Sequence, residues 1–150
     1  MAITRPLVFD GDRLVLNVAA TGTTQVGILD EFWMDIPGFG VSDCDPIQAD
    51  FVEHVVTWNG DSDVSALAGT AVRLWFEMQN TKLYAFQFRH LGDLDGSGVV
   101  DWADVKALSD EWLNDCSGPS WCAGCDINRD NRVDFEDYGI LASQWLEGSP

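Results

Sequence analysis

Two twelve-residue strings, DLDGSGVVDWAD at Asp93–Asp104 and DINRDNRVDFED at Asp126–Asp137, decide how this chain is read. They are copies of one pattern in constant register: Asp93, Asp95, Ser97, Asp101 and Asp104 align with Asp126, Asn128, Asp130, Asp134 and Asp137. Self-similarity at a fixed spacing marks a duplicated supersecondary unit. The apolar residues that follow keep the register, Val100 with Val133, Trp102 with Phe135, Val105 with Tyr138, Leu108 with Leu141, Trp112 with Trp145 and Leu113 with Leu146. Positions 102, 105, 108 and 112 share one helical face, as do 135, 138, 141 and 145. Each copy therefore reads as an acidic loop running into an amphipathic helix, and two such helices can bury their apolar faces against one another.

The spacing of oxygen-bearing side chains predicts what the loops hold. Loop positions 1, 3, 5, 9 and 12 carry Asp93, Asp95, Ser97, Asp101 and Asp104 in the first copy, and Asp126, Asn128, Asp130, Asp134 and Asp137 in the second. Position 7 adds a backbone carbonyl, from Val99 or Arg132. Calcium takes about six to eight oxygens at roughly 2.3–2.6 Å, which this spacing serves; magnesium demands fewer protein ligands in stricter octahedral geometry. Position 6 must turn sharply, and Gly98 and Asn131 are residues able to do so. Four carboxylates per loop would repel one another without a cation, so two bound Ca²⁺ ions and an unfolded C-terminal region in chelator are expected. The alternative for either loop is a solvated acidic surface.

Charge supports the same reading. The chain carries 25 acidic against 8 basic residues, a net charge of −17. Such a balance repels phosphate backbones and anionic lipid, so neither nucleic acid nor a membrane surface is an expected partner. Thirteen acidic and three basic residues fall between Leu91 and Pro150. No apolar stretch reaches the roughly 18 residues of a spanning helix, and the opening MAITRPLVFDGDR has no export signal. A cytosolic protein and one piece of a longer exported precursor are the two readings of that opening.

Residues 1–90 have a different period. Leu14, Leu16 and Val18 alternate with Val15 and Asn17; Val72, Leu74, Phe76 and Met78 form one row; Tyr84, Phe86 and Phe88 form a third. A period of two is a strand signal. Turn residues punctuate it at Asp10-Gly11-Asp12, Ala20-Thr21-Gly22, Asn59-Gly60-Asp61 and Gln79-Asn80, the last predicted to close a hairpin, while Asp63–Ala68 suggests one helical turn. The predicted fold class is thus an all-β sandwich over residues 1–90, followed over 91–150 by a small α-helical domain of two calcium loop-helix repeats.

At residues 92–147 the duplicated loop and helix, with Asp104 and Asp137 at loop position 12, resembles the type I dockerin domain. The resemblance implies a calcium-folded adaptor, secreted, that plugs an extracellular polysaccharide-degrading protein into a cohesin-like module of a scaffold, with the loop residues above as metal ligands. It also points to loop positions 10 and 11, Trp102, Ala103, Phe135 and Glu136, as partner contacts. These aromatics depart from the small or hydroxylated residues of well-known dockerins, and burial in the core is the competing reading for Trp102 and Phe135. The β region, through WNGDSDVSALAGTAVRLWFEM (residues 58–78) and LYAFQF (83–88), resembles the sandwich appended to invertase-like glycoside hydrolases. That resemblance implies an ancillary module of a longer exported protein.

Four cysteines remain. Cys116, Cys122 and Cys125 lie between the repeats and Cys44 in the β region. In an exported protein Cys116 with Cys122 is the leading disulfide and Cys116 with Cys125 its competitor, while Cys44 is either a buried thiol or a bridge to the tail cysteine left over. A zinc site through Cys122 and Cys125 is a weaker alternative. Trp33, Trp58, Trp75 and Tyr84 could stack on sugar rings, although strand aromatics are most often core. Asp43, Asp45, Asp61 and Asp63 lie in turn-like segments and read as turn formers rather than as a glycosidase pair. No nucleophile–base pair stands out, so no enzyme is expected. Calcium-dependent attachment to a protein partner is the leading function. Its rivals are self-assembly with another copy of the chain into an extracellular array and carbohydrate binding by the sandwich.

Overall fold

A computed structural model describes residues 1–117 and 121–146. The run Ser117-Gly118-Pro119-Ser120, turn-like by its residue types, falls largely outside them, as do the last four residues of the chain. The chain divides into two compact units, Met1–Phe88 and Arg89–Pro150.

The first unit holds seven strands, β1 (Ala2–Ile3), β2 (Leu7–Val8), β3 (Arg13–Ala20), β4 (Thr24–Asp30), β5 (Asp50–Val55), β6 (Ala71–Met78) and β7 (Thr81–Arg89, whose last residue belongs to the second unit). Single 3-10 turns occur at Val41–Asp43 and Ser65–Leu67. One sheet is built on β6, which pairs antiparallel with β4 along one edge, from Thr24 opposite Met78 to Asp30 opposite Val72. Its other edge is shared by β1, with Ala2 opposite Phe76, and β2, with Leu7 opposite Val72. The second sheet runs β5-β3-β7. Alternation explains the packing: Leu14, Leu16 and Val18 of β3, Val26 and Ile28 of β4, and Val72, Leu74 and Phe76 of β6 are all buried in one cluster. Fully burying a side chain of this size is worth about 1.5–3 kcal/mol, so these rows hold the unit together.

Two sequence expectations fail here. Gln79-Asn80 does not close a hairpin, because β6 and β7 belong to different sheets. The turn instead crosses between sheets beside the one that joins β3 to β4, with Thr21 N–H donating to the Asn80 carbonyl at 3.1 Å and Gln79 N–H to that of Thr23 at 2.8 Å. The crossing leaves no space for a side chain at Gly22, where a Cβ would stand 2.2 Å from the Gln79 oxygen. The row Tyr84, Phe86, Phe88 is only partly interior: Phe88 stacks on Phe9 with ring centroids 3.7 Å apart, whereas Tyr84 and Phe86 are exposed.

The second unit carries α1 (Trp102–Asp110) and α2 (Phe135–Ser143), nine residues each. The expected class, a sandwich followed by a small α-helical domain, is therefore corrected. The structure is mostly β, in two sheets, and among the described residues its helix is confined to these two short segments joined by loops and turns. The helices stop before Trp112 and Trp145, where the apolar pattern had carried them on. Leu113 and Leu146 instead take left-handed backbones, φ 62° and 61°. Val100, Leu108, Cys116, Cys125, Val133 and Leu141 form the buried core of this unit.

Candidate metal centre

Each helix begins at an aspartate that caps it. Asp101 Oδ1 accepts from Ala103 N–H at 2.8 Å and Asp134 Oδ1 from Glu136 N–H at 2.9 Å. A side-chain oxygen there satisfies a helical N–H that has no partner within the helix. Three residues on, the position-12 carboxylate closes the loop. Asp104 Oδ1 accepts from Leu94 N–H (2.6 Å) and Asp95 N–H (3.0 Å), and its Oδ2 from Asp101 N–H (2.7 Å). Asp137 repeats this with Ile127 (2.6 Å), Asn128 (3.1 Å) and Asp134 (2.8 Å). Both carboxylates are fully buried. Standing at the third position of the helix, the aspartate closes a capping box by accepting from the cap residue's own N–H. Sequence spacing presents positions 9 and 12 only as ligands, and does not reveal their work as cap and clasp.

Position 1 sits inside this frame. Asp93 Oδ2 accepts from Gly98 N–H at 3.0 Å and lies 3.7 Å from Arg89 Nε, while Arg89 Nη2 donates to the Asp93 carbonyl at 3.0 Å. Its Oδ1 is buried and has no hydrogen-bond donor among the described residues. Oxygens of Asp93, Asp95 and Asp104 lie within 4.8 Å of one another. That spread suits one hard cation, since two oxygens on opposite sides of an ion at roughly 2.3–2.6 Å stand about 4.6–5.2 Å apart. Burial pushes the Asp93 carboxyl above its usual range, and Asp104 and Asp95 add to the shift against the Gly98 N–H and the Arg89 guanidinium. Asp95 is exposed and held below its usual range, chiefly by the Ser97 N–H.

The structure places the remaining loop residues as follows. Ser97 Oγ donates to the Val99 carbonyl at 3.0 Å, which brings positions 5 and 7 of the first loop together. Asp101 is not in the three-carboxylate group. In the second loop Asp126 Oδ1 and Oδ2 accept from Asp130 N–H (3.1 Å) and Asn131 N–H (3.0 Å). Asn128 Oδ1 accepts from Asp130 N–H at 3.0 Å, and Asp130 Oδ1 from Arg132 N–H at 3.0 Å. Burial likewise raises the Asp126 carboxyl, opposed by the Asn131 and Asp130 N–H groups and reinforced by the Asp137 and Asp130 charges. Asn131 turns at φ 80° and Gly98 at 94°, the left-handed region that position 6 requires. A divalent ion would be held by the position-1, -3, -5 and -12 side chains with the position-7 carbonyl. It would neutralise carboxylates that burial and mutual repulsion otherwise disfavour as charges.

Trp102 and Phe135 are 75% and 77% exposed, so the core reading of these two is corrected. Their ring neighbours come from the other repeat: Trp102 meets Trp145 edge-on at 5.0 Å, and Phe135 meets Trp112 in the same way at 5.0 Å. Ala103 and Glu136 beside them are exposed.

Cys116 and Cys122 form a disulfide. Cys44 and Cys125 are buried free thiols, which corrects the bridges proposed for them and the zinc alternative. Cys44 Sγ donates to the Asp45 carbonyl at 3.4 Å and Cys125 Sγ to that of Ala107 at 3.5 Å. Trp58 is core, donating from Nε1 to the Val26 carbonyl at 2.8 Å. The turn aspartates behave as turn formers, Asp61 accepting from Asp63 N–H and Asp63 from Ser65 N–H. Comparison with protein-family models, curated proteins and solved structures returns no match to this chain.

Proposed function

We propose that the second unit binds two calcium ions, one in each loop, and that the ion-ordered unit docks onto a protein partner, making the chain a non-catalytic calcium-dependent adaptor of an extracellular protein. The observation that carries this reading is the buried, unpartnered Asp93 Oδ1 within a three-carboxylate cluster, in a loop whose hydrogen bonds recur at the equivalent positions of the second repeat. The sequence resemblance to dockerins supplies a cohesin-like module as the partner class. The exposed Trp102 and Phe135 are the surfaces offered to it. A disulfide fits an oxidising compartment, and no described helix is long and apolar enough to cross a membrane. Calorimetric titration of the chelator-stripped chain with calcium tests the ion sites, with two binding events expected. Retention on an immobilised cohesin module, with calcium and with chelator, tests the docking. Heat-silent titration together with an unchanged circular dichroism spectrum would remove the adaptor reading.

A second reading has its own observation. Phe32, Trp33 and Met34 are exposed at the tip after β4, held by Asp30, whose Oδ1 accepts from Phe32 N–H (2.8 Å) and Met34 N–H (2.9 Å). Trp33 stands at φ 72°, and the Arg73 guanidinium lies 4.2 Å from its ring centroid. An indole presented in this way supports stacking on a neutral sugar ring. Trp33→Gly relieves the left-handed backbone and removes the ring. Stability should therefore move by less than about 1 kcal/mol, while retardation in gels loaded with neutral polysaccharide disappears. Equal migration of parent and variant would discard this reading.

A further inference from the structure

The two loops are secured differently, and only the second is secured covalently. The segment from Leu113 to Cys116 runs beside the far side of the second loop. Leu113 N–H donates to the Val133 carbonyl (2.8 Å), Val133 N–H to that of Asn114 (3.3 Å) and Cys116 N–H to that of Asn131 (2.8 Å), with Asp115 bridged antiparallel to Arg132. Cys116 therefore borders positions 6 and 7, the sharp turn and the carbonyl expected on the ion. Cys122 lies on the near side. Trp121, Cys122, Ala123 and Gly124 have φ 48°, 52°, 55° and 87°, a full left-handed turn. It is closed by Gly124 N–H to the Trp121 carbonyl (3.1 Å) and Cys125 N–H to that of Cys122 (3.0 Å). Asp126 N–H also donates to the Trp121 carbonyl at 3.1 Å, so this turn delivers position 1.

A left-handed backbone is unfavourable for any residue that carries a Cβ, which crowds the following carbonyl oxygen, and three such residues follow one another here. A run of this kind persists only where its surroundings over-determine it. The Cys116–Cys122 bond supplies that constraint by tying the left-handed turn to the segment that lines positions 6 and 7. In the register of the first repeat Arg89 stands where the second has Cys122, and Asp93 is held there by the Arg89 guanidinium instead. Cys125 is buried as a free thiol and donates to the Ala107 carbonyl at 3.5 Å.

We infer that the Cys116–Cys122 disulfide positions the ligands of the second loop, so that its oxidation state sets the calcium affinity of Asp126–Asp137 and leaves that of Asp93–Asp104 unchanged. The inference rests on the calcium reading above. In the redox step a dithiol transfers two electrons and two protons to the Cys116–Cys122 bond. The S–S bond breaks, two cysteine thiols form, and the dithiol becomes its cyclic disulfide. The left-handed turn then relaxes and takes Asp126 with it. Linkage is reciprocal, so calcium makes the bond harder to reduce by the factor by which reduction weakens calcium binding.

The full chain is titrated with calcium, oxidised and after dithiol reduction, by calorimetry. One event should weaken by about 5- to 150-fold, the usual size of such coupling, and the other should hold. In Asp126→Asn the event that remains should be insensitive to reduction. The reverse direction is read by alkylation and mass spectrometry of the Cys116–Cys122 pair, equilibrated at fixed ratios of dithiol to its disulfide. Calcium should protect the bond in the parent and in Asp93→Asn, and should not protect it in Asp126→Asn. That pattern separates ligand positioning from general stabilisation of the fold. Identical affinities in both redox states, loss of both events together, or equal protection in the two variants would overturn the inference while leaving the calcium reading in place. Absence of ion uptake in every state would instead remove the reading beneath it.

Discussion

Leu113 donates its main-chain N–H to the carbonyl of Val133 at 2.8 Å, and its counterpart in the second repeat, Leu146, donates to Val100 at the same distance. The end of each helix thus completes the start of the other repeat. The aromatic pairs Trp102–Trp145 and Trp112–Phe135 obey the same exchange. A repeat whose loop is closed by its partner should unfold together with it.

Leu108 and Leu141 sit at equivalent places in the shared core, 2% and 0% exposed. Replacing either by alanine should cost about 2–5 kcal/mol, as for other buried leucines. Because the repeats interlock, each substitution should lower the stability of both helices. Hydrogen exchange of α1 amides in Leu141→Ala is the decisive measurement. Wild-type protection in α1 would show that the repeats fold separately.

Asp104 and Asp95 should separate structure from ion binding. Asp104 accepts three backbone N–H groups through both oxygens, so asparagine must turn an NH₂ toward donors. Asp104→Asn should therefore destabilise the second unit even in chelator, by about 1–3 kcal/mol. Asp95 is exposed and accepts only from Ser97 N–H among the backbone bonds seen, at 2.9 Å. Asp95→Asn should leave the chelated protein's melting temperature nearly unchanged and lower calcium affinity. Thermal melts with and without calcium distinguish the two, and equal behaviour of the variants would count against the assignment.

The repeat, its ligand spacing and the inner rows of β3 and β6 were legible because side-chain period and residue type carry them directly. What escaped is set by tertiary partners. Gln79-Asn80 has the composition of a hairpin turn, yet β6 and β7 part there into different sheets, in a passage where Gly22 packs directly against Gln79. The apolar pattern overstates the helices, because Trp112 and Trp145 keep the helical register after the backbone has left it to form the Leu113 and Leu146 exchange. The clasp role of Asp104 and the left-handed turn at residues 121–124 depend on backbone angles. Residue type does not specify those angles at Trp121, Cys122 or Ala123.

Cys44 supplies a pH dependence. Burial pushes its thiol up to about 11 from 9.0, with the Asp45 charge adding to the shift and a hydrogen bond from the Val26 backbone opposing it. The folded pKa lies above the unfolded one, so the folded chain keeps a proton that the unfolded chain loses between those values. The thiol's contribution is therefore full below about pH 9 and declines as pH rises toward 11. Urea unfolding of the first unit at pH 8 and pH 10.5 should show a loss of order 2 kcal/mol attributable to this residue. Cys44→Ala should show a smaller loss over the same interval. The thiol should also resist iodoacetamide at pH 8 in the native chain. An identical pH slope in parent and variant would exclude the assignment.

Trp102 and Phe135 test whether the exposed aromatics serve recognition. Each touches one ring of the other repeat at 5.0 Å and is otherwise largely in solvent. An aromatic pair of this geometry is worth about 0.5–1.5 kcal/mol beyond its buried area, so the double variant Trp102→Ala, Phe135→Ala should lose only a few kcal/mol and still fold. Central aromatics of an interface are common hot spots whose removal costs about 2 kcal/mol or more, roughly thirtyfold in affinity. Calcium binding should therefore persist in the double variant while calcium-dependent retention on a cohesin module drops by at least that factor. The contrast matters because, on the proposed reading, loss of ion binding would also abolish docking. Undiminished retention with normal calcium uptake would assign the docking surface elsewhere on the unit.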